Sequence, residues 1–200
     1  WNSSKIYHFI GKDIIYHHYL FLPAMRMGVE EEYKLPDFIP VRGHLMLQGK
    51  KISKSRDWYI SLRDFLNGFP ADYLRYYCLA ITPYSQDDVN FDWDEFHAKI
   101  NNELVANVGN FINRILSFIK TRYSGEVPFP EEYSSKDIEF INKIRDIPKA
   151  VSDKLEHNEN SEALRLIMDF STQCNQYFQL KEPWTNKPGS STCLYLCSNA

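Results

Sequence analysis

The sequence predicts a mainly α-helical protein with an α/β part at its amino-terminal end. Short runs of β-branched and aromatic residues, which are typical of strands, occur before Arg56. Beyond that point, apolar residues recur every three or four positions over long stretches, as on one face of a helix. Hydrophobic residues make up 44% of the chain and charged residues 24%, a balance typical of a globular protein with a buried core.

The amino-terminal part begins with a predicted strand, turn and helix. Residues 6–10 are the strand and residues 11–13, Gly-Lys-Asp, are the turn. Asp13 is a candidate N-cap for a helix that runs through Met27 and stops at Gly28, a residue favoured at helix ends.

Several short elements follow. They are strands at 38–42, 45–48 and 51–55 with a turn at Gly49-Lys50, a short helix capped by Ser61 with Asp64 three positions on, and a helix that begins at Pro70 and runs through Leu79. The polar loop 82–91 then leads to Asp92, which can cap a long helix. The composition changes near residue 92, and we place a domain boundary there.

Three long helices are predicted beyond this boundary, and they predict a helical bundle. The first carries an apolar stripe that consists of Phe96, Ile100, Leu104, Val108, Phe111, Ile115 and Ile119. The second, from Ser135 to about His157, is expected to be kinked or interrupted at Pro148, and its apolar face consists of Ile138, Ile141, Ile144, Ile147, Val151 and Leu155. The third spans 161–180, and 191–200 is an apolar stretch compatible with a further helix.

Composition also limits the classes of function. The formal net charge of -3 excludes a surface dominated by nonspecific phosphate binding, so any contact with nucleic acid must be local. No apolar run is long enough to cross a membrane and no signal peptide is recognisable, so we expect a cytoplasmic protein without membrane contact. Four cysteines lack CxxC spacing, which predicts free thiols and no metal site, zinc included. Both ends of the sequence look cut, so we expect missing chain on each side.

Two short segments carry candidate chemistry. In the Gly11-Lys12-Asp13 turn, glycine permits close approach of a ligand, the helix end favours anions, and a carboxylate can accept hydrogen bonds from ribose hydroxyls; an ordinary helix cap has the same pattern. His17 and His18 cannot both face the same way on a helix, so one is expected to point inward. Residues 51–55, Lys-Ile-Ser-Lys-Ser, could bring mobile ammonium groups to a triphosphate, or could be a solvated basic turn.

These segments resemble those of one enzyme family, the methionyl-tRNA synthetases of class I. Residues 51–55 resemble the KMSKS loop of class I synthetases, with Ile52 in place of methionine, and 8–18 resemble the HFIGKDIxxxH segment of the methionyl enzymes. In the same order follow 71–77 (ADYLRYY), 88–96, 107–114 (NVGNFINR) and 182–184 (EPW), each similar to a segment of that family.

The resemblance implies domains and roles for the residues. Residues 1–50 would be the second half of a Rossmann-type catalytic domain, 51–91 the KMSKS-like loop and stem-contact region, and 92–200 a helical anticodon-binding domain truncated at its carboxy-terminal end. The implied catalytic residues are Lys51, Ser53, Lys54 and Ser55; Gly11, Asp13 and Lys54 would bind ATP; Ile14 and His18 would line the methionine pocket; and Asn110, Arg114, Pro183 and Trp184 would contact the anticodon. The implied partners are ATP with Mg²⁺, methionine, tRNA(Met) and the amino-terminal half of the catalytic domain.

Physical chemistry agrees with the anticodon assignment but leaves an alternative. Tryptophan can stack on an unpaired base, and asparagine and arginine can read exposed base edges. Equally, Asn110 and Arg114 could be a surface pair and Trp184 a packing anchor.

The sequence also departs from the family pattern. The HIGH motif and the zinc-bearing insertion of the family are absent here, so this chain alone is not expected to activate methionine. Asp57 stands where the family usually has glycine, and His17 replaces a common aromatic residue. Two other readings stay open: a non-catalytic tRNA-binding protein or fragment, and a sister class I synthetase for leucine, valine or isoleucine.

Overall fold

The structure, a computed structural model, describes residues 2–29, 31–185 and 187–200. The chain is mostly helical with a small amount of sheet, which confirms the predicted fold class at this level. It divides into two compact units between Trp93 and Asp94. In the described ranges, no helix combines the length and the apolar character that crossing a bilayer requires.

A short parallel strand pair opens the first unit. Strand β1 (Ile10–Gly11) pairs with β2 (Val41–Arg42), and a parallel bridge between Tyr7 and Phe38 extends the pairing towards the start of each run. The predicted strands 6–10 and 38–42 therefore lie side by side, although regular pairing includes only Ile10 of the first, together with Gly11 from the predicted turn, and Val41–Arg42 of the second.

A hairpin follows β2 and leads into the lysine-bearing loop. Strand β3 (Leu45–Leu47) pairs antiparallel with β4 (Lys50–Lys51) across a turn at Gln48 and Gly49. Both turn residues have positive φ, 50° and 72°, as a tight two-residue hairpin turn requires. The predicted turn at Gly49-Lys50 is therefore wrong by one residue, because Lys50 already pairs with Leu47.

The other edge of β3 pairs with a strand that the sequence did not indicate. Strand β5 (Val89–Phe91) runs parallel to β3 within the loop predicted as 82–91. Phe91 is 1% exposed and packs edge to face against the fully buried Tyr77, with ring centroids 5.1 Å apart. Tyr77 lies on helix α3 (Ala71–Ile81), so this aromatic contact joins the sheet to a helix in the first unit.

The predicted helix 13–27 is a continuous helical run with irregular turns. It starts as a 3-10 turn (Lys12–Ile14), widens into a π-helical stretch (His17–Phe21) and ends as α1 (Leu22–Met27) before Gly28. Asp13 is not the N-cap: Gly11 holds that position, and Asp13 lies inside the first turn because helical geometry begins one residue earlier, at Lys12.

Two further helices complete the first unit. Helix α2 (Leu62–Gly68) is capped by the hydroxyl of Ser61, which accepts from the main-chain N–H of Asp64 at 3.4 Å, as predicted. Helix α3 (Ala71–Ile81) begins after Pro70, which occupies the N-cap rather than the first helical position.

The second unit starts with one long helical run. It consists of α4 (Trp93–Lys99), a π-helical segment (Ile100–Gly109) and α5 (Asn110–Arg122). The structure confirms the predicted apolar stripe. Five of its members are buried, namely Phe96, Ile100, Phe111, Ile115 and Ile119, and Leu104 and Val108 are half-buried.

Three more helices pack around this run. They are α6 (Ser135–Glu156), α7 (Asn160–Lys181) and α8 (Ser190–Ser198). Helix α7 packs against α5, α6 and α8, and the shared core includes Phe140, Phe178 and Leu194. The cysteines are free, as predicted, and those at positions 174, 193 and 197 are buried.

The structure differs from the prediction for α6 in two respects. The helix is not interrupted at Pro148, which lies on an exposed face. Ile138 and Leu155 are 52% and 51% exposed and do not belong to the buried face. At about 100° per residue, Ile138 lies roughly 180° around the helix from Ile147, so a strict spacing of three cannot follow one face.

A buried polar network lies at the start of α6. The carboxylate of Asp137, which is fully buried, accepts from the main-chain N–H of Ser134 at 2.8 Å and from its hydroxyl at 2.6 Å. It also accepts from the Tyr177 hydroxyl at 2.6 Å and pairs with the Lys181 ammonium at 2.8 Å. Burial raises the pKa of Asp137, but the hydrogen bonds from Lys181, Ser134 and Tyr177 outweigh it and lower the pKa to about 2.

Candidate functional site

The Gly11-Lys12-Asp13 turn places a carboxylate against a residue without a side chain. A Cβ atom at Gly11 would lie 2.6 Å from Oδ1 of Asp13, which is closer than non-bonded atoms allow. A side chain at position 11 would therefore displace the Asp13 carboxylate from its present place, although the φ of Gly11, −82°, is ordinary. Asp13 itself is exposed, so its free oxygens can accept hydrogen bonds from a ligand.

Lys12 anchors this turn to the second sheet of the same unit. Its ammonium lies 2.7 Å from Oδ1 of Asp88, and the same oxygen accepts from the main-chain N–H of His44 at 2.6 Å. These two hydrogen bonds hold the pKa of Asp88 below its usual value. Since His44 directly precedes β3, the ion pair connects the turn after β1 with the strand that leads into the lysine loop.

His18 lies on the inner side of the helical run, as the sequence predicted for one of the two histidines. His18 is half-buried whereas His17 is exposed. The Nδ1 atoms of His18 and His8 are 3.1 Å apart, which makes a hydrogen bond between the two imidazoles. Ile14, the other residue predicted to line the methionine pocket, is half-buried one turn before His18.

A cavity of about 530 Å³ borders His18. Residues that surround it include Asp37, Arg42 and Tyr84, and the guanidinium of Arg42 lies 4.7 Å from the centre of the Tyr84 ring. Ile14 is not among the residues that line this cavity, so the structure does not bring the two predicted methionine residues to it together.

The lysine loop has a closed base. Ser53 and Trp58 exchange main-chain hydrogen bonds of 2.8 and 2.9 Å, and the Trp58 indole N–H donates to the carbonyl of Leu47 at 2.9 Å. The Lys50 ammonium lies 5.0 Å from the centre of the Trp58 ring. Between these ends, the hydroxyls of Ser53 and Ser55 are 3.1 Å apart, so two predicted catalytic residues are in contact.

The lysines of the loop point to solvent. Lys51 lies in β4 and Lys54 in a 3-10 turn (Lys54–Arg56), and both are exposed. No ion pair engages either ammonium in the part of the chain that the structure describes. Asp57, which follows the turn, adopts a left-handed conformation with φ of 52°. Two free cations above a closed base can thus meet an anionic ligand without first breaking an ion pair.

The turn at Asp13 and the loop at Lys54 belong to the same compact unit. Over the described residues, no hydrogen bond or ion pair joins Asp13 to Lys54 directly. The contact between Lys12 and Asp88 is a polar link between the turn and the sheet from which the loop extends.

In the second unit, the structure brings Arg114 and Trp184 together. The guanidinium carbon of Arg114 lies 4.6 Å from the centre of the Phe178 ring and 5.7 Å from that of Trp184. Arg114 also donates to the side-chain oxygen of Gln179 at 3.2 Å. Arg114 therefore contacts α7 rather than forming a surface pair with Asn110.

The other residues predicted to contact the anticodon differ in exposure. Asn110 is exposed at the start of α5, one turn before Arg114. Trp184 is half-buried and packs against Phe178 with ring centroids 5.9 Å apart, so it is less exposed than a free stacking platform. Pro183 is buried in a 3-10 turn (Pro183–Thr185) that also contains Trp184.

A side-chain network fixes the π-helical segment just before Asn110. The amide of Asn107 donates to Thr172 at 2.9 Å and accepts from Ser171 at 3.0 Å. The amide of Asn175 donates both to the carbonyl of Asn107, at 3.1 Å, and to its side-chain oxygen, at 3.0 Å. Helix α7 thus satisfies polar groups of the widened segment.

Sequence reasoning missed His8, Gln179 and the Asn107 network. His8 precedes His18 by ten positions in the same motif, so the motif itself was an available signal. Gln179 lies on α7, and only its contact with Arg114 indicates a role. Asn107 begins the NVGNFINR segment but faces α7, which the sequence alone does not reveal.

Known proteins are similar over nearly the whole chain. A curated methionine–tRNA ligase of Methanosphaera stadtmanae is 42% identical over 97% of the chain, and that of Methanopyrus kandleri is 46% identical over 92%. The chain spans less than a third of these relatives, 29% and 27% of their lengths. A solved Mycobacterium tuberculosis methionyl-tRNA synthetase in complex with methionyl-adenylate has a TM-score of 0.83 and 26% identity, over 96% of this chain and 38% of that one.

The family described as tRNA synthetases class I (M) matches residues 1–116, more than half of the chain. This match covers the Gly11-Lys12-Asp13 turn, the lysine loop and the start of the long helical run through Arg114. The chain therefore belongs to the class I tRNA synthetases of the M family.

Proposed function

We propose that this chain is part of a methionine–tRNA ligase, which activates methionine with ATP and transfers it to tRNA(Met). The observation that carries the proposal is 42% identity over 97% of the chain to a methionine–tRNA ligase. The solved relative in complex with methionyl-adenylate supports the same chemistry, because that compound is the product of the activation step.

The first unit fits the ATP side of this reaction. Lys51 and Lys54 carry cations without carboxylate partners in the described residues, and Ser53 and Ser55 add hydroxyl donors, which suits a triphosphate. Asp13 can accept hydrogen bonds from the ribose while Gly11 allows close approach. ATP would carry Mg²⁺, which shields phosphate charge.

Catalysis would depend on position and charge. In the activation step, the carboxylate of methionine attacks the α-phosphate of ATP and pyrophosphate leaves. None of the proposed residues needs to form a covalent bond. Lys54 would stabilise the charge that develops on the phosphate oxygens, and Lys51, Ser53 and Ser55 would hold the loop against the nucleotide. Ile14 and His18 would line the methionine pocket.

The second unit would read the anticodon. The guanidinium carbon of Arg114 lies 5.7 Å from the centre of the Trp184 ring, and Asn110 is exposed one turn away on the same helix. A cation beside an aromatic ring, next to an exposed amide, suits an unpaired base that stacks and is read along its edge. Pro183 would act by fixing the place of Trp184.

The domain assignments belong to the same proposal. Residues 1–50 would be the second half of a Rossmann-type domain, 51–91 the loop and stem-contact region, and 92–200 the anticodon-binding bundle. The amino-terminal half of the catalytic domain would be its partner, and this chain would not activate methionine without it. The proposed location is the cytoplasm.

Lys54→Ala in the full-length enzyme tests the catalytic assignment. We expect methionine-dependent pyrophosphate exchange to fall by about 100-fold, as when other preorganised charge-stabilising groups are removed. Lys5→Ala, at an exposed position outside the loop, should keep the wild-type rate. An unchanged rate for Lys54→Ala would contradict the role of the loop. Exchange with leucine, valine or isoleucine instead of methionine would indicate a sister synthetase.

Binding of tRNA tests the second unit. Trp184→Ala should weaken binding of tRNA(Met) by roughly 10- to 100-fold, the cost of one lost stacking contact, and Trp184→Phe should retain part of the affinity. Phe129→Ala, at a residue that is 90% exposed, is the matched control and should bind normally. Equal affinity for tRNAs with other anticodons would contradict anticodon reading. Specific tRNA binding by a full-length protein that lacks exchange activity would favour the non-catalytic alternative.

A further inference from the structure

The contact between His8 and His18 restricts the hydrogen atoms of both rings. The two Nδ1 atoms are 3.1 Å apart, and the rings meet edge to face with centroids separated by 5.1 Å. Two imidazole nitrogens can approach to this distance only when one carries a hydrogen and the other offers a lone pair. While the contact exists, the two Nδ1 atoms therefore cannot both carry a hydrogen.

The surroundings favour a neutral His8. Burial lowers the pKa of His8 most, followed by the repulsion that a protonated His18 would exert and by the charge of Arg26. The main-chain N–H of His8 donates to the carbonyl of Phe38 at 3.0 Å, so the strand pairing fixes the backbone that carries the ring. Asp37 and Arg42 are charged groups that line the same cavity as His18.

The role of His18 in the proposed function decides which ring donates. A methionine thioether can only accept a hydrogen bond, and only weakly, so a histidine that binds it must donate. Nδ1 of His18 is already occupied by His8, which leaves Nε2 as the atom available to a ligand. For a neutral His18, a hydrogen on Nε2 requires an unprotonated Nδ1, and His8 must then be the donor.

We propose that His8 is a positioning residue that donates its Nδ1 hydrogen to His18 and so holds His18 in the tautomer that presents Nε2–H to the thioether of methionine. This inference rests on the proposed function, because that function assigns His18 to the methionine pocket. His8 itself does not touch the substrate.

Two variants separate hydrogen bonding from ring packing. His8→Phe keeps a flat ring but has no donor, whereas the amide of His8→Asn can place an N–H close to the position of the lost Nδ1–H. Both are made in the full-length enzyme with isotope-labelled histidine. Nitrogen NMR then reports which ring nitrogen of His18 is protonated, and His18→Gln identifies the His18 signals by their loss.

We expect wild type and His8→Asn to show His18 protonated on Nε2, and His8→Phe to show a mixture of tautomers. In His8→Phe, KM for methionine should rise by about fivefold, the effect of one ordinary hydrogen bond, with KM for ATP unchanged. His8→Asn should restore most of the methionine affinity. A residue that served only packing would leave the tautomer of His18 unchanged.

Two results would overturn the inference. One is wild-type His18 signals in His8→Phe, which would show that His8 does not set the tautomer. The other is an altered tautomer with no change in KM for methionine, which would show that His18 does not bind the thioether. Failure of the proposed function is distinguishable, because the wild-type enzyme would then lack methionine-dependent exchange altogether.

Discussion

The two units support their candidate residues in different ways. In the second unit, Arg114 lies on a helix whose neighbouring residues Phe111 and Ile115 are 8% and 3% exposed and belong to the common core. In the first unit, Lys54 and Asp13 lie on short exposed turns. There, a few individual polar contacts and hydrogen bonds at the loop base determine the local geometry.

Because of this difference, stability and function are coupled in the second unit, whereas in the first unit they can change separately. A change that loosens the core of the second unit also displaces Arg114 and Trp184, because Phe178 contacts both. A change in the turns of the first unit can displace a candidate residue while leaving the core around Tyr77 and Phe91 intact.

Asp137→Ala should destabilise the second unit most. It leaves Lys181, whose side chain is 15% exposed, and the buried Tyr177 hydroxyl without their partner. Loss of one member of such a buried ion pair costs about 3–5 kcal/mol of unfolding free energy. Urea unfolding followed by circular dichroism measures the change, and affinity for tRNA should fall with it.

The control for this variant is Lys136→Ala on the same helix turn. Lys136 pairs with Glu139, but the two side chains are 62% and 53% exposed, so the unfolding free energy should hardly change. A comparable loss in both variants would mean that the Asp137 network contributes no more than surface charge.

Acid should weaken the second unit through the same carboxylate. The pKa of Asp137 is about 2 in the folded chain and 3.8 for the unperturbed group. Because the folded value is lower, the contribution is complete above about pH 4, amounts to about 2 kcal/mol, and is lost as pH falls from 4 towards 2. The difference in unfolding free energy between wild type and Asp137→Asn, measured from pH 6 to 2, should shrink in that window. A constant difference would argue against this pKa.

Lys12→Met tests the first unit, where we expect function to change without stability. The side chains of Lys12 and Asp88 are 34% and 39% exposed, so loss of their ion pair should leave urea unfolding almost unaltered. Pyrophosphate exchange by the full-length enzyme should fall by about tenfold, because a small displacement of reacting groups is costly. Lys34→Met, from an equally exposed pair with Asp37, is the matched control and should retain the rate. If Lys12→Met lowered the unfolding free energy but left the rate of pyrophosphate exchange unchanged, the contrast between the two units would be contradicted.

Asp57→Gly should have the smallest effect. Asp57 has φ of 52°, a left-handed conformation that glycine adopts without the steric cost of a Cβ atom. The greater freedom of glycine in the unfolded chain offsets part of this gain, so we expect stabilisation by about 0.5 kcal/mol. Alanine has the Cβ atom that makes a left-handed conformation costly, and it lacks the short polar side chain that lets aspartate tolerate this conformation. Asp57→Ala should therefore be slightly destabilising. If alanine stabilised as much as glycine, the left-handed conformation would not be the cause.

The long helices and their apolar faces were the most predictable features. The stripe from Phe96 to Ile119 repeats often enough that burial of one face determines the structure, and the cap at Ser61 agrees with local side-chain chemistry. Motif resemblance identified the candidate residues, but not their contacts. The roles of those residues stay predictions.

Contacts between residues far apart in sequence could not be predicted. Strand β5 has only three residues, too few to stand out within a polar loop, and it pairs along an edge that β3 offers. The ion pair between Lys12 and Asp88 depends on that pairing, because β5 begins at the next residue. Likewise, Asp137 reads as an ordinary capping residue, and only the approach of α7 with Tyr177 and Lys181 makes it buried.

The π-helical segment Ile100–Gly109 accommodates apolar residues whose spacing does not suit a regular α-helix. The apolar residues 96, 100, 104 and 108 are spaced by four, whereas an α-helix turns once every 3.6 residues and would carry them gradually around its axis. A segment with wider turns compensates for this drift. The number of residues between Lys99 and Asn110 therefore sets the direction in which Asn110 projects. A change in the length of this segment would rotate the side chains of the residues that follow it about the helix axis.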